Sequence, residues 1–135
     1  MMGALNRKAA RAAVVAAIGI SALGLSAVTA SAKVSYDFKA SPHTVTAGAR
    51  VHLKGYAMKD DDLFQRFCVQ ERQGTSWRTV KCAHGAVFDG GSVDTWVRTQ
   101  HRGTLRFRGA LYETDWNSKK LHLQMVTPTE TVTVR

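Results

Sequence analysis

Apolar residues recur at every second position through most of this chain, and that period decides what it can fold into. Val34, Tyr36 and Phe38 alternate with polar residues, Val51 and Leu53 alternate with His52 and Lys54, and Leu121 and Leu123 alternate with His122 and Gln124. Leu105, Phe107 and Leu111 alternate in the same way with Arg106, Arg108 and Tyr112. Period two marks a strand with one buried and one solvated face. Two further β-prone runs are Val93-Asp94-Thr95-Trp96-Val97-Arg98 and Thr131-Val132-Thr133-Val134. Turn signals separate the runs at Ser41-Pro42, Ala47-Gly48, Gln73-Gly74, Asp89-Gly90-Gly91, His101-Arg102-Gly103 and Asn117-Ser118. No helical period follows residue 32. About seven short strands in a segment of this length predict an all-β antiparallel sandwich.

The first 32 residues have a different pattern. Arg7, Lys8 and Arg11 form a basic end, an uncharged Ala-, Val- and Leu-rich run follows, and Ala30-Ser31-Ala32 closes it. That order is what a secretory signal peptide requires. Cleavage after Ala32 is expected, leaving residues 33–135 as one domain that starts at Lys33. Lys33 stands where a lipidated protein needs cysteine, and no sorting motif with an apolar tail closes the chain. The mature protein is therefore expected to be secreted as a monomer, with no stable membrane anchor. Cleavage leaves 16 basic against 10 acidic side chains, so the net charge is +6, where the whole chain has +9. A basic exported protein is drawn to polyanions, although solubility alone also accounts for such a balance.

Cys68 and Cys82 are the two cysteines. An even count in an exported chain predicts a disulfide. The runs Phe67-Cys68-Val69-Gln70-Glu71-Arg72 and Trp77-Arg78-Thr79-Val80-Lys81-Cys82 flank a Gly-containing turn. Folding them as a hairpin brings the cysteines within cross-strand reach.

Four segments resemble bacterial immunoglobulin-like domains, the last of them Val132-Thr133-Val134, which is similar to their final strand. Ser41 to Gly55 resembles their V-x-x-G-x-x-V-x-L-x-G opening, and Val69 to Val80 resembles their V-x-L-Q-x-R-x-G-x-x-W-x-x-V hairpin, matching it from the Q onward at Gln70. Gly103-Thr104-Leu105-Arg106-Phe107-Arg108-Gly109 is similar to their G-T-x-x-Y-R-A strand. The resemblance implies an immunoglobulin-like β-sandwich and an exported binding or spacer module without catalytic activity. Trp77, after its turn, is expected to lay its ring across one end of the core.

The residues themselves offer little chemistry. No G-x-S-x-G, H-E-x-x-H or C-x-x-C is present, and no pair of carboxylates stands out for acid–base work. No catalytic residue, metal or cofactor is expected. His43, His52, His84, His101 and His122 share no ligand spacing, and His52 and His122 are expected to face solvent. Asp60-Asp61-Asp62 offers oxygen ligands but lacks the spacing and glycine of a calcium loop, which leaves a solvated loop or a cation-stiffened one.

The remaining candidates are Arg98, Arg102, Arg106 and Arg108, grouped around one expected hairpin turn. Tyr112 lies further along the outward face of Arg106 and Arg108. Arginines beside an aromatic can hold phosphate or carboxylate through forked hydrogen bonds. The alternative is a solvated face with arginine for solubility. The expected role is non-catalytic contact with a protein or an anionic cell-envelope polymer at or beyond the cell surface. No specific nucleic-acid module is recognisable. A second possibility is an inhibitor of an extracellular enzyme such as a protease, presenting the loop at 57–63 or 83–91, and a third is a small hydrolase.

Overall fold

The computed structural model describes residues 33–115 and 118–135. The expected signal peptide, with Ala30 and Ala32 of its cleavage site, lies outside the described residues, as does Asn117 of the last turn signal. Lys33 is exposed and irregular.

The described residues form strands joined by short connections: β1 (Val34–Ser41), β2 (Thr44–Val45), β3 (Arg50–Lys59), β4 (Phe64–Gln73), β5 (Ser76–Cys82), β6 (Ala86–Val87), β7 (Ser92–Arg98), β8 (Gly103–Thr114), β9 (Leu121–Val126) and β10 (Glu130–Val134). The all-β sandwich is as expected, but it holds ten strands, not about seven. Two of the extra strands, β2 and β6, have only two residues each, too short for alternation to reveal. Three strands form one sheet in the order β1-β3-β7, and seven form the other around the path β2-β10-β8-β4-β5. Pairing is antiparallel except for β2 against β10.

Alternation explains why the two sheets face each other. Val51, Leu53 and Ala57 of β3 are fully buried, with Phe38 and Ala40 of β1 and Val93 of β7 beside them. The larger sheet answers with Phe67 and Val69 of β4, Phe107 and Leu111 of β8, and Val132 and Val134 of β10. Burying side chains of this size stabilises by about 1.5–3 kcal/mol each before chain entropy is counted. Phe67 packs so tightly that a Cβ on Gly109 would sit 2.5 Å from its ring.

β4 and β5 form the predicted hairpin. Gly74 takes a positive φ of 63° in the turn, which glycine accepts without strain. Cys68 and Cys82 are direct cross-strand partners and are bridged. A bulge between Val69 and Gln70 brings them into register.

Three expectations fail here. Arg98 and Gly103 do not bound a hairpin, because β7 and β8 belong to different sheets and the segment between them crosses the end of the sandwich. Trp77 does not cap the core: it pairs with Arg72, and both lie on the outer face of the larger sheet. Leu121 and Leu123 do not point inward. Opposite Leu111 and Tyr112 of β8, β9 carries one extra residue, Gln124, and this second bulge shifts the register so that Leu123 pairs with outward Tyr112 and is 48% exposed. One extra residue is enough to exchange the two faces of a strand. The same shift sets His122 opposite inward Glu113, where its partly exposed ring meets Asp115 at 2.8 Å.

The disulfide closes a loop of about 15 residues, which the chain-entropy model values at roughly 3 kcal/mol. The Cys68→Ala/Cys82→Ala variant should keep its strand circular-dichroism spectrum and lose about that much stability in urea titration. The Gly109→Ala variant should be destabilised by about 1–3 kcal/mol through overpacking against Phe67.

Candidate functional site

The five candidate contact residues do not form one group. Arg98 and Arg102 line a cleft of about 340 Å³ at the open end of the sandwich, together with Glu71, Arg78 and His101. Arg98 is already committed there, donating from Nη1 to the Gly48 carbonyl at 2.8 Å. The Arg78 Nη2 and Glu71 Oε1 atoms pair at 3.1 Å across the same cleft. Arg106, Arg108 and Tyr112 instead share the outer face of the larger sheet.

On that face the structure adds partners from neighbouring strands. Gln70 of β4 is directly opposite Arg108 of β8, and Arg66 is opposite Tyr112. The Arg108 guanidinium lies over the Trp77 ring at 4.3 Å, and the Arg72 guanidinium lies over the same ring at 5.5 Å. Arg108 Nε donates to Gln70 Oε1 at 2.8 Å, and Gln70 Nε2 donates to the Tyr112 hydroxyl at 2.7 Å. Arg72 Nε donates to the Gly74 carbonyl at 2.9 Å. The result is a ladder of Arg72, Trp77, Arg108, Gln70 and Tyr112 across three strands.

The ladder changes what the arginines can do. A free arginine gives up about 2 kcal/mol of rotamer entropy when it is immobilised. Stacking and the Nε hydrogen bonds have already restricted Arg72 and Arg108, so less is lost on meeting a ligand. Each stack contributes about 0.5–1 kcal/mol when exposed. Both side chains use Nε for the protein, which leaves the forked terminal nitrogens for an anion. Burial, and more weakly the charge of Arg72, lower the Arg108 pKa against an opposing effect of Tyr112, but guanidinium stays charged in proteins.

Charge on this face has one sign. The outward positions of β4 and β8 hold Arg66, Arg72, Arg106 and Arg108, and no carboxylate occupies any of them. Arg72 and Arg106 are exposed, and Arg66 and Arg108 are half-buried. Exposed Leu123 and Val126 of β9 border the Tyr112 end. The sequence placed Arg106 and Arg108 correctly on an outward strand face. It did not reveal Arg66, Gln70, Arg72 and Trp77, which join them only through strand pairing. A signal was available in Arg72 and Trp77, which lie one pair out from the two-residue turn Gly74-Thr75 and are therefore cross-strand neighbours.

The histidines are scattered. His43 meets Glu130 at 3.2 Å, and His52, facing outward as expected, meets Asp94 at 2.5 Å. His84 and His101 are exposed.

The acidic loop departs from expectation at one residue. Asp60 and Asp62 are exposed, but Asp61 turns back onto the protein. Its Oδ1 accepts from the Leu63 amide at 3.1 Å and from Gln65 Nε2 at 3.3 Å. Lys59 Nζ lies 3.5 Å from Asp61 and 3.4 Å from Glu113. Glu113 is 4% exposed, and its Oε2 finds no donor. Burial pushes the Glu113 carboxyl up to about 7, assisted by its hydrogen bond with Asp61 and opposed by the charge of Lys59. Burial alone would raise Asp61, but hydrogen bonds from Glu113, the Leu63 amide and Gln65, with the charge of Lys59, hold it below its usual range. When protonated, Glu113 would have the Asp61 carboxylate as its acceptor. The residues come from β3, the following loop, β4 and β8, which is why sequence spacing did not single them out.

No family model and no curated protein sequence matches the chain. Among solved structures, the chain is similar to the solution structure of the CARDB domain of a Pyrococcus furiosus protein. The likeness has 12% identity, covers 76% of this chain and 94% of that one, and has a TM-score of 0.50. A crystal structure of that CARDB domain in complex with di-metal ions matches at 12% identity and a TM-score of 0.49, covering 76% of this chain and 93% of that one. At this identity the likeness is one of fold: an all-β sandwich of the CARDB, immunoglobulin-like kind.

A carboxyl whose pKa is raised on folding contributes stability while protonated and loses it on ionising. The Glu113 contribution is therefore full below its unfolded value of 4.5 and is lost as pH rises through about 7. Thermal unfolding of the wild type should show this fall across that window. Glu113→Gln, which mimics the protonated acid, should remove it.

Proposed function

We propose that the domain is a non-catalytic binding module, exported by cleavage after Ala32, that holds an anionic cell-envelope polymer along the outer face of its larger sheet. The observation that carries this reading is the Arg72–Trp77–Arg108–Gln70–Tyr112 ladder, flanked by Arg66 and Arg106 on a face without carboxylates. A polymer with regularly spaced phosphates or carboxylates suits a row of arginines distributed along two paired strands. Each guanidinium then makes forked, charge-assisted hydrogen bonds to one anionic group. Arg98 and Arg102, around the corner at the end cleft, would attract the same polymer at longer range.

The inhibitor reading has less support. Val87 and Phe88 are exposed at the tip of the 83–91 loop, as a contact loop requires. However, Ala86 and Asp89 close that tip into a tight turn, and Phe88 has a φ of 68°. A protease-directed loop presents extended, substrate-like backbone, which this turn does not offer. The 57–63 segment is tied down by β3 and by the bonds of Asp61.

Isothermal titration with long-chain polyphosphate at several salt concentrations tests the reading. Binding to the wild type should weaken steeply with salt, because each neutralised charge releases counterions. Arg72→Ser/Arg106→Ser should weaken binding about tenfold at low salt and flatten the dependence of log K on log salt by roughly 1–2. Equal affinity and slope in the variant would sink the proposal. Neutral dextran should not bind this face.

A further inference from the structure

The opposite face of the sandwich has a different chemistry. Its outward residues fall into cross-strand rows over β1, β3 and β7. Asp37, Tyr56 and Ser92 form one row, Lys39, Lys54 and Asp94 the next, and Ser41, His52 and Trp96 the third. The first two rows line an open groove of about 400 Å³, within the range of small-ligand sites, about 300–1,000 Å³. Tyr56 is 41% exposed within it, and Trp96, one row beyond, is 52% exposed.

Trp96 is held in place despite its exposure. The His52 ring stacks on it with centroids 4.4 Å apart and planes 13° from parallel. His52 Nε2 in turn pairs with Asp94 Oδ1 at 2.5 Å, and the Arg50 guanidinium lies 5.2 Å from the Trp96 ring centre. Tyr56 and Trp96 are two rows apart, about 13 Å along the strands, so a ligand reaching both must be elongated. Between them stand the two ammoniums of Lys39 and Lys54 and the carboxylate of Asp94, with the Asp37 carboxylate beside Tyr56. Among the described residues, no ion pair or side-chain hydrogen bond joins Asp37, Lys39 or Lys54 to any neighbour, and Asp94 engages only His52. Lys54 is directly opposed to Lys39 on one side and to Asp94 on the other, so the like-charge opposition is partly offset by the charge of Asp94. The groove therefore offers uncommitted donors and acceptors of both signs beside aromatic rings.

We infer that this groove binds a neutral, linear oligosaccharide with β-1,4 linkages. The pyranose rings of such a chain are all-equatorial, and their axial C–H faces stack on the Tyr56 ring and reach the part of the Trp96 ring that His52 leaves open. Their hydroxyls both donate and accept, matching ammonium and carboxylate groups in equal number. The flat ribbon of a β-1,4 chain fits the surface of a sheet. A polyanion would meet Asp37 and Asp94, and an apolar peptide would leave Asp37, Lys39 and Lys54 without partners. The site is separate from the arginine face, so the two proposals stand or fall independently.

The test is an NMR titration of the domain with cellohexaose and with chitohexaose. At least one should move the Trp96 indole and the Tyr56, Lys54 and Ser92 amides. Its dissociation constant should rise about tenfold or more in Tyr56→Ala and stay within about twofold in Tyr56→Phe, since the ring is what stacks. Added salt and the Arg72→Ser/Arg106→Ser variant should leave it unchanged. The inference is overturned if neither sugar moves these signals at millimolar concentration, if binding survives Tyr56→Ala in a folded protein, or if salt abolishes it.

Discussion

Everything in this domain depends on the pairing of β4 with β8. Their register, from Gln65 opposite Glu113 to Glu71 opposite Phe107, sets both faces of the larger sheet at once. Inward it stacks Phe67 and Val69 with Phe107 and Leu111, the centre of the core. Outward it brings Gln70 to Arg108 and Arg66 to Tyr112, the frame of the arginine ladder. A slip of one residue would drive the arginines into the core and the phenylalanines into solvent. Core and candidate site are thus two consequences of one ladder of backbone hydrogen bonds.

The disulfide extends that register to β5. Cys68 is paired with Ala110 of β8 and bridged to Cys82 of β5, so one residue links three strands. Trp77, at the other end of β5, is carried beside Arg72 and Arg108. The tie that stabilises the hairpin also limits how far the stacked ring can move, a condition for preorganised binding.

Local rules recovered the architecture well. Alternation revealed the long strands and their buried faces, and the spacing of the two cysteines about a glycine turn revealed their bridge. What escaped was encoded by bulges and by distance. The bulge at Gln124, opposite Leu111 and Tyr112, turns Leu123 outward, and nothing in the alternation of Leu121, His122 and Leu123 signals it. Trp77 was expected at the core because large aromatics are usually buried, whereas two cross-strand arginines give its ring an alternative cover. Asp61, Gln65 and Glu113 belong to one buried polar cluster although Glu113 is remote in sequence. Arg98 and Arg102 seemed to join Arg106 and Arg108 only because a crossover between sheets resembles a hairpin turn when read as sequence.

The two outer faces carry aromatic side chains in different settings: Trp77 between guanidiniums, Trp96 against a histidine and beside groups of both signs. That contrast permits a direct measurement of the central claim, that the larger sheet presents a preorganised anion-binding face. Trp77 and Trp96 indole N–H resonances can be followed together while polyphosphate is added at low salt. The account predicts that the Trp77 signal and the side-chain Nε–H signals of Arg72 and Arg108 shift together while Trp96 stays fixed. An unmoved Trp77 signal at saturating polyphosphate, or equal movement of both indoles, would contradict it.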